Sequence, residues 1–215
     1  VDRLVPSGPV TVLAGPSSNG AAGIAAARRL AAAGRGVEVV LVGSPRAADA
    51  PALLAPAGVA VRAAPEGPGA VVVDALLGAA GRPPLDAGPA EAARWLRHHD
   101  VPVLAVEVPS GFGADEGPAG MCVAADATVA LGLPLAACAL PGAQVFLGDL
   151  VVADLGLDAA AWADAGLPGV PADLFAPGPL VRLTEVAAGG DAGTPLQVDA
   201  DGVRAVGVEP TLGGF

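Results

Sequence analysis

The chain has 215 residues, 53% hydrophobic and 15% charged, with a formal net charge of −11. Its 11 basic residues are all Arg, which excludes lysine Schiff-base chemistry and a P-loop lysine. No basic stripe is present to release counterions from DNA or RNA, so nucleic acid is not an expected partner, although helix N-termini and backbone N–H groups can still hold an anionic nucleotide.

With 31 Gly, 22 Pro and 3% aromatic residues, the interior must be packed by Ala, Val and Leu. The length suits one domain followed by a tail. Val10-Thr-Val-Leu-Ala-Gly15 reads as a strand running into a small-residue turn, with helical composition from Ile24 to Leu30. Val37-Glu-Val-Val-Leu-Val-Gly43 is a second strand, Ala47 to Ala55 a short helix, and Val59 to Arg62 a third strand. Ala70-Val-Val-Val-Asp-Ala-Leu-Leu77 reads as a strand buried on both faces, with one carboxylate near its end. Pro89 to His99 reads as a helix, and the adjacent His98 and His99 at its end suit partners for the helix dipole better than catalysts. Val103-Leu-Ala-Val-Glu-Val108 repeats the apolar run with a terminal acid, and Ala127 to Leu131 and Asp149 to Asp154 add two more strands.

This alternation predicts an α/β fold of three layers, Rossmann-like, with a mostly parallel sheet. The expected domain covers residues 1–158. Residues 159–215 form a tail with no assigned function, in which Leu196 to Val208 has the pattern of a hairpin turning at Asp201-Gly202. Cys122 and Cys138 lack metal-ligand spacing and are expected to be buried free thiols. The opening residues carry no signal-peptide pattern, and the apolar stretch Ala127 to Leu140 is too short to span a bilayer, so the expectation is a soluble cytoplasmic protein. The chain starts with Val, consistent with numbering that begins inside a longer natural protein.

Ligands of open parallel sheets bind beyond the carboxyl ends of the strands, which is where both strand-end acids would lie. Gly15-Pro-Ser-Ser-Asn-Gly-Ala-Ala-Gly23 opens a helix after a strand, a position that favours a phosphate but also occurs as a plain tight turn; it lacks the G-x-G-x-x-G fingerprint. Asp74 is costly to bury unless paired, hydrogen-bonded or bound to a cation; the alternative is an acid capping the following loop. Glu107-Val-Pro-Ser-Gly111 turns sharply enough for Glu107 and Ser110 to face one crevice. Ser110 does not sit in a G-x-S-x-G elbow, so serine hydrolysis is disfavoured.

Together, Val12 to Gly23, Val-Asp-Ala-Leu-Leu-Gly over Val73 to Gly78, Glu107 to Gly111, Ala-Asp-Ala-Thr-Val near Ala127 and Val-Val-Ala-Asp-Leu-Gly-Leu after Leu150 resemble, in order and spacing, the NAD(P)H-hydrate epimerase family, or YjeF N-terminal domain. The match spans about residues 10 to 158. Against the family's V-x-x-G-P-G-N-N-G-G-D-G, the chain keeps Asn19, Gly20 and Gly23, departs at Ser17, Ser18, Ala21 and Ala22, and has Glu107 where the family has Asp.

The resemblance implies interconversion of the R and S epimers of hydrated NADH or NADPH, with Glu107 as the catalytic acid and base. It implies substrate contacts from Ser18, Asn19, Gly20, Ala21 and Ala22, from Gly78, Ala79, Ala80, Gly81, Arg82, Pro83 and Pro84, and from Glu107. It implies one potassium ion held by Asn19, Asp74 and Ser110. Helices that precede the first strand in relatives are absent here, and a homodimer or a dehydratase is the implied protein partner, with no membrane contact. The departures leave a second reading open, a nucleotide-binding or partner-binding module on the same fold without turnover.

Overall fold

The computed structural model describes residues 1–43, 49–167, 170–185, 196–199 and 202–205; for 184–185, 196–199 and 202–205 it describes the backbone alone. Strand β1 (Val10–Ala14) leads into helix α1 (Ser18–Ala32), followed by β2 (Val37–Leu41), α2 (Ala50–Leu54), β3 (Ala60–Arg62), β4 (Val71–Ala75), α3 (Ala87–Leu96) and β5 (Val103–Val106). A two-stranded ribbon, β6 (Phe112–Gly113) with β7 (Gly117–Pro118), precedes β8 (Ala127–Leu131), α4 (Gln144–Leu147), β9 (Asp149–Ala153) and α5 (Ala159–Asp164). Strands β10 (Leu180–Glu185), β11 (Leu196–Asp199) and β12 (Gly202–Ala205) complete the described chain.

Seven strands run parallel in the order β3-β2-β1-β4-β5-β8-β9. The chain therefore winds outward from β1 in one direction and, after crossing to β4, outward in the other, which gives a mostly parallel α/β fold with a switch point between β1 and β4. The central strands are near-continuous Val and Ala because helices cover both faces. On one face α1 packs Ile24 and Ala27 against Val10, Val12, Val71 and Val73; on the other α3 packs Ala92, Ala93 and Leu96 with Leu13, Val40, Val72 and Val103.

Helix α1 begins six residues before Ile24, where the helical composition becomes evident. Ser17 is its N-cap and accepts from the Gly20 N–H, and Ala21 and Ala22 are strong helix formers where the family pattern has Gly and Asp. A Cβ on Gly20 would lie 2.0 Å from the Gly15 carbonyl oxygen, so this glycine lets the helix leave β1 at close range.

Strand β10 runs antiparallel to β9, placing Val181 beside Val152, and buries Val181 and Leu183 with Leu174 in a third cluster that includes Phe112, Leu147 and Leu150. Over part of the expected hairpin Leu196 to Val208, β11 and β12 pair antiparallel, with β12 lying parallel to β10; its residues 200–201 and 206–208 are outside the described residues. Of the expected short helix at Ala47 to Ala55, Ala50–Leu54 is helical, and 44–48 also fall outside. Among the described residues no helix is long and apolar enough to cross a membrane.

Cys122 and Cys138 are free and buried, and burial pushes their thiols up to about 12 and about 11. Both stay protonated at pH 8, and the thiolate is the reactive species. Mass spectrometry after iodoacetamide treatment is therefore expected to find neither modified in the folded protein and both modified in urea.

Candidate functional site

The carboxyl ends of β1, β4 and β5 converge on one polar cluster. Asp74 occupies the fourth position of β4 and is 0% exposed. Its Oδ1 accepts from the Ser110 hydroxyl at 2.6 Å and the Leu76 N–H at 3.2 Å, and its Oδ2 accepts from the Ser110 N–H at 2.8 Å. Burial raises the Asp74 pKa above its ordinary value, and the bonds from Ser110 and Leu76 oppose that rise. Among the described residues no basic side chain pairs with it. Asp74 thus ties Leu76, just beyond its own strand, to the turn after β5 at Ser110, while the carboxylate that bonds an N–H of the following Gly78–Pro84 loop is Glu107, at Ala79.

Ser110, 1% exposed, also accepts from the Leu77 N–H at 2.9 Å, which joins the β4 and β5 ends a second time. Asn19, in the first turn of α1, reaches across β4 to donate from Nδ2 to the Val106 carbonyl at 3.0 Å. Its Oδ1 is buried and has no hydrogen-bond partner, and the residue is 3% exposed. A buried polar atom of this kind calls for a ligand, an ion or a water.

Glu107 lies one residue beyond β5, where its backbone takes a left-handed conformation with φ 67°. For a non-glycine residue this is uncommon, and it is held here by the Glu107 N–H donating to Val129 O at 2.8 Å and by the side chain. Oε2 accepts from the Ala79 N–H at 2.9 Å. The carboxylate lies over Gly78, where a Cβ would meet Oε2 at 1.9 Å and the Asn19 Cβ at 3.3 Å. Only glycine at 78 lets the acid occupy this place.

The segment after Gly78 forms one wall of a cleft of about 530 Å³, with Ala79, Ala80, Gly81, Arg82 and Pro83 facing Ala114, Asp115, Glu116 and Ala119. Ala79 belongs both to the cleft wall and to the hydrogen bond with Glu107, so the acid is tied to the cleft through that residue. Residues 114–119 surround the β6–β7 ribbon; their Gly and Pro density marks a loop in the sequence, but nothing there marks a cleft wall.

The expected site residues thus fall into two groups. Asn19, Asp74, Gly78, Ala79, Glu107 and Ser110 lie at the ends of β4 and β5 and the start of α1: Ser110 bonds Asp74, the Ala79 N–H bonds Glu107 over Gly78, and Asn19 bonds the Val106 carbonyl. Ser18 and Ala21 are exposed and Ala22 is half-buried along the first turns of α1, while Gly20 is taken up by packing against Gly15. Arg82 is the basic residue of the cleft; Pro84 is exposed beyond its rim. Helix α1 has no acid in its first turn, so its N-terminal N–H groups and partial positive charge are not already neutralised.

The family profile described as YjeF-related protein N-terminus matches residues 2–137. An NAD(P)H-hydrate epimerase of Truepera radiovictrix is 34% identical over 195 residues, covering 84% of this chain and 83% of that one. A bifunctional NAD(P)H-hydrate repair enzyme of Pyrobaculum aerophilum is 35% identical over 165 residues, 69% of this chain but 33% of the longer relative. The crystal structure of yeast ynu0 shares the fold with a TM-score of 0.64, at 24% identity over 73% of this chain and 70% of that one. The chain belongs to the YjeF-related protein N-terminus family.

Proposed function

We propose that this protein interconverts the R and S epimers of hydrated NADH or NADPH, with Glu107 as the acid and base. The observation that carries this reading is the Glu107 carboxylate, held over Gly78 by the N–H of Ala79, a residue of the cleft wall. In the hydrate, C6 of the nicotinamide ring bears the hydroxyl. A proton from Glu107 goes to that hydroxyl, the C6–O bond breaks as the ring nitrogen supplies its electron pair, and water leaves. Water then adds to the opposite face of the flattened ring, its proton passes to the carboxylate, and the other epimer results.

The pyrophosphate falls to Arg82 and the open N-terminal turn of α1, since Asp115 and Glu116 would repel it on the far wall. The conformation of Glu107 compensates for its extra methylene relative to the Asp of the family pattern, because the left-handed turn and the bare Gly78 accommodate the longer side chain. A dehydratase that accepts one epimer would consume the product, and the longer bifunctional relative is consistent with a second activity alongside this domain. The test is direct. A mixture enriched in one epimer of hydrated NADH should reach R/S equilibrium faster with the protein than in buffer, and equal rates reject the activity.

Potassium suits the residues at the strand ends. Among the described residues Asn19 Oδ1 is an unpartnered buried acceptor and the Asp74 carboxylate has no basic partner, and the Ser110 oxygen keeps a lone pair beyond its bonds to Asp74 and Leu77. A bound ion would supply positive charge against the substrate phosphates and against buried Asp74. The expected result is a higher melting temperature in potassium chloride than in choline chloride of equal ionic strength, a difference that Asn19→Ala removes. Since burial raises the Asp74 pKa, the difference should shrink as pH falls and the carboxyl takes up its proton. Equal melting temperatures in the two salts at neutral pH reject the ion.

A further inference from the structure

A second cleft opens at the same edge of the sheet, on the opposite side of β1 from Glu107. It has a volume of about 430 Å³, and its walls include Val40 and Val42 from the end of β2, Ala64 and Pro65 beyond β3, and Ala92 and Trp95 on α3. Nothing in the epimerisation chemistry uses it. We propose that this cleft seats the adenine ring of the dinucleotide; the assignment of the ring to one end of a bound dinucleotide rests on the epimerase reading above.

Among the described residues lining this cleft, Glu91, exposed on α3, is the one charged residue. A phosphate is disfavoured there, whereas an uncharged flat ring finds aliphatic walls and the half-buried indole of Trp95. The volume lies within the range of pockets for small ligands.

In the order β2-β1-β4-β5, three strand spacings separate the end of β2 from the end of β5, about 14 Å at about 4.8 Å each. Between them stands the N-terminal turn of α1, with Pro16 against Gly43 at the cleft's edge. A dinucleotide laid across the β1/β4 switch point would put its pyrophosphate on α1, its nicotinamide at Glu107 and its second ring beside Trp95. One stretch of chain connects the two ends, because Ala79 to Pro83 line the first cleft and Gly88 the second.

The chain contains two Trp, Trp95 and Trp162, so Trp162→Phe leaves Trp95 as the single reporter. Titrating that variant with 5′-AMP should change its emission saturably, whereas nicotinamide mononucleotide should leave it unaltered. Filling the cleft with Ala64→Phe, at an exposed position away from the core, should abolish the 5′-AMP response. In the otherwise wild-type chain, Trp95→Ala should raise KM for hydrated NADH about ten-fold, the scale of one lost stacking partner, with kcat retained.

The subsite is rejected if 5′-AMP leaves Trp95 emission unaltered, or if Ala64→Phe keeps the 5′-AMP response or the wild-type KM. The two proposals fail separately. A Trp95 response to 5′-AMP without any epimerisation would sink the activity and leave a nucleotide subsite, while epimerisation with no such response would do the reverse.

Discussion

Glu107→Gln is expected to slow the approach to R/S equilibrium of hydrated NADH by about 10²- to 10⁴-fold, the usual contribution of a positioned acid or base. The change preserves length and shape, and the amide oxygen can still accept from the Ala79 N–H that holds Oε2 at 2.9 Å. What it removes is the proton that must reach the C6 hydroxyl and the carboxylate that must take one back from water. Because the side chain is half-buried and is not part of the Asp74–Ser110 network, the variant should melt within a few degrees of wild type. An ordinary substrate-positioning role for Glu107 predicts otherwise, namely a raised KM with most of kcat retained. A second variant separates presence of the acid from its placement. Gly78→Ala puts a methyl where Oε2 now sits, 1.9 Å away, and should displace the carboxylate without removing it. A displacement of roughly 1 Å costs on the order of 10²-fold in rate. A fully active Glu107→Gln protein would end the acid–base assignment whatever Gly78→Ala does.

Much of the frame was legible because it follows from burial. The Val-rich runs at Val71–Ala75 and Val103–Val106 could only be strands covered on both faces, and a carboxylate at the end of such a strand has to meet partners. Asp74 met Ser110 and Leu76, as its cost of burial requires. Strand β10 was written in the alternation of Leu180-Val-Arg-Leu-Thr-Glu185, with Val181 and Leu183 pointing inward, but the surrounding Pro and Gly obscure a six-residue signal. Other features depend on distant parts of the chain meeting. The left-handed backbone of Glu107 is fixed by Val129, Gly78 and Ala79, none of them its neighbour in sequence. The orphaned Asn19 Oδ1 arises because its amide nitrogen is spent on Val106, 87 residues away. The cleft beside Trp95 joins three separate elements, and in sequence Trp95 looks like any aromatic residue on an amphipathic helix.

Ser110→Ala should be the most damaging small substitution in the protein, lowering the unfolding free energy by about 2–4 kcal/mol at neutral pH. The hydroxyl serves two buried groups at once. It donates to Asp74 Oδ1 at 2.6 Å and accepts from the Leu77 N–H at 2.9 Å, so its loss leaves that oxygen only the longer bond from the Leu76 N–H at 3.2 Å and strands a backbone donor where water does not readily reach. The dependence on pH distinguishes this from a simple packing defect. Burial already raises the folded-state pKa of Asp74, and the bond from the Ser110 hydroxyl does most among its hydrogen bonds to restrain that rise, so the variant's folded pKa should rise further. A raised carboxyl pKa means that the folded state binds the proton more tightly than the unfolded chain. Stability then falls as pH climbs from the unfolded value, about 3.9, through the folded one, and the fall is larger in the variant. Below about pH 3.9 the acid is neutral in both states and that extra penalty disappears. Urea unfolding of the two proteins at pH 7 and at the lowest pH where both remain folded should therefore show the gap between them narrowing in acid. A gap that stays constant or widens there would mean that Asp74 is not ionised in the folded protein at neutral pH, and the case for a cation beside it would go too.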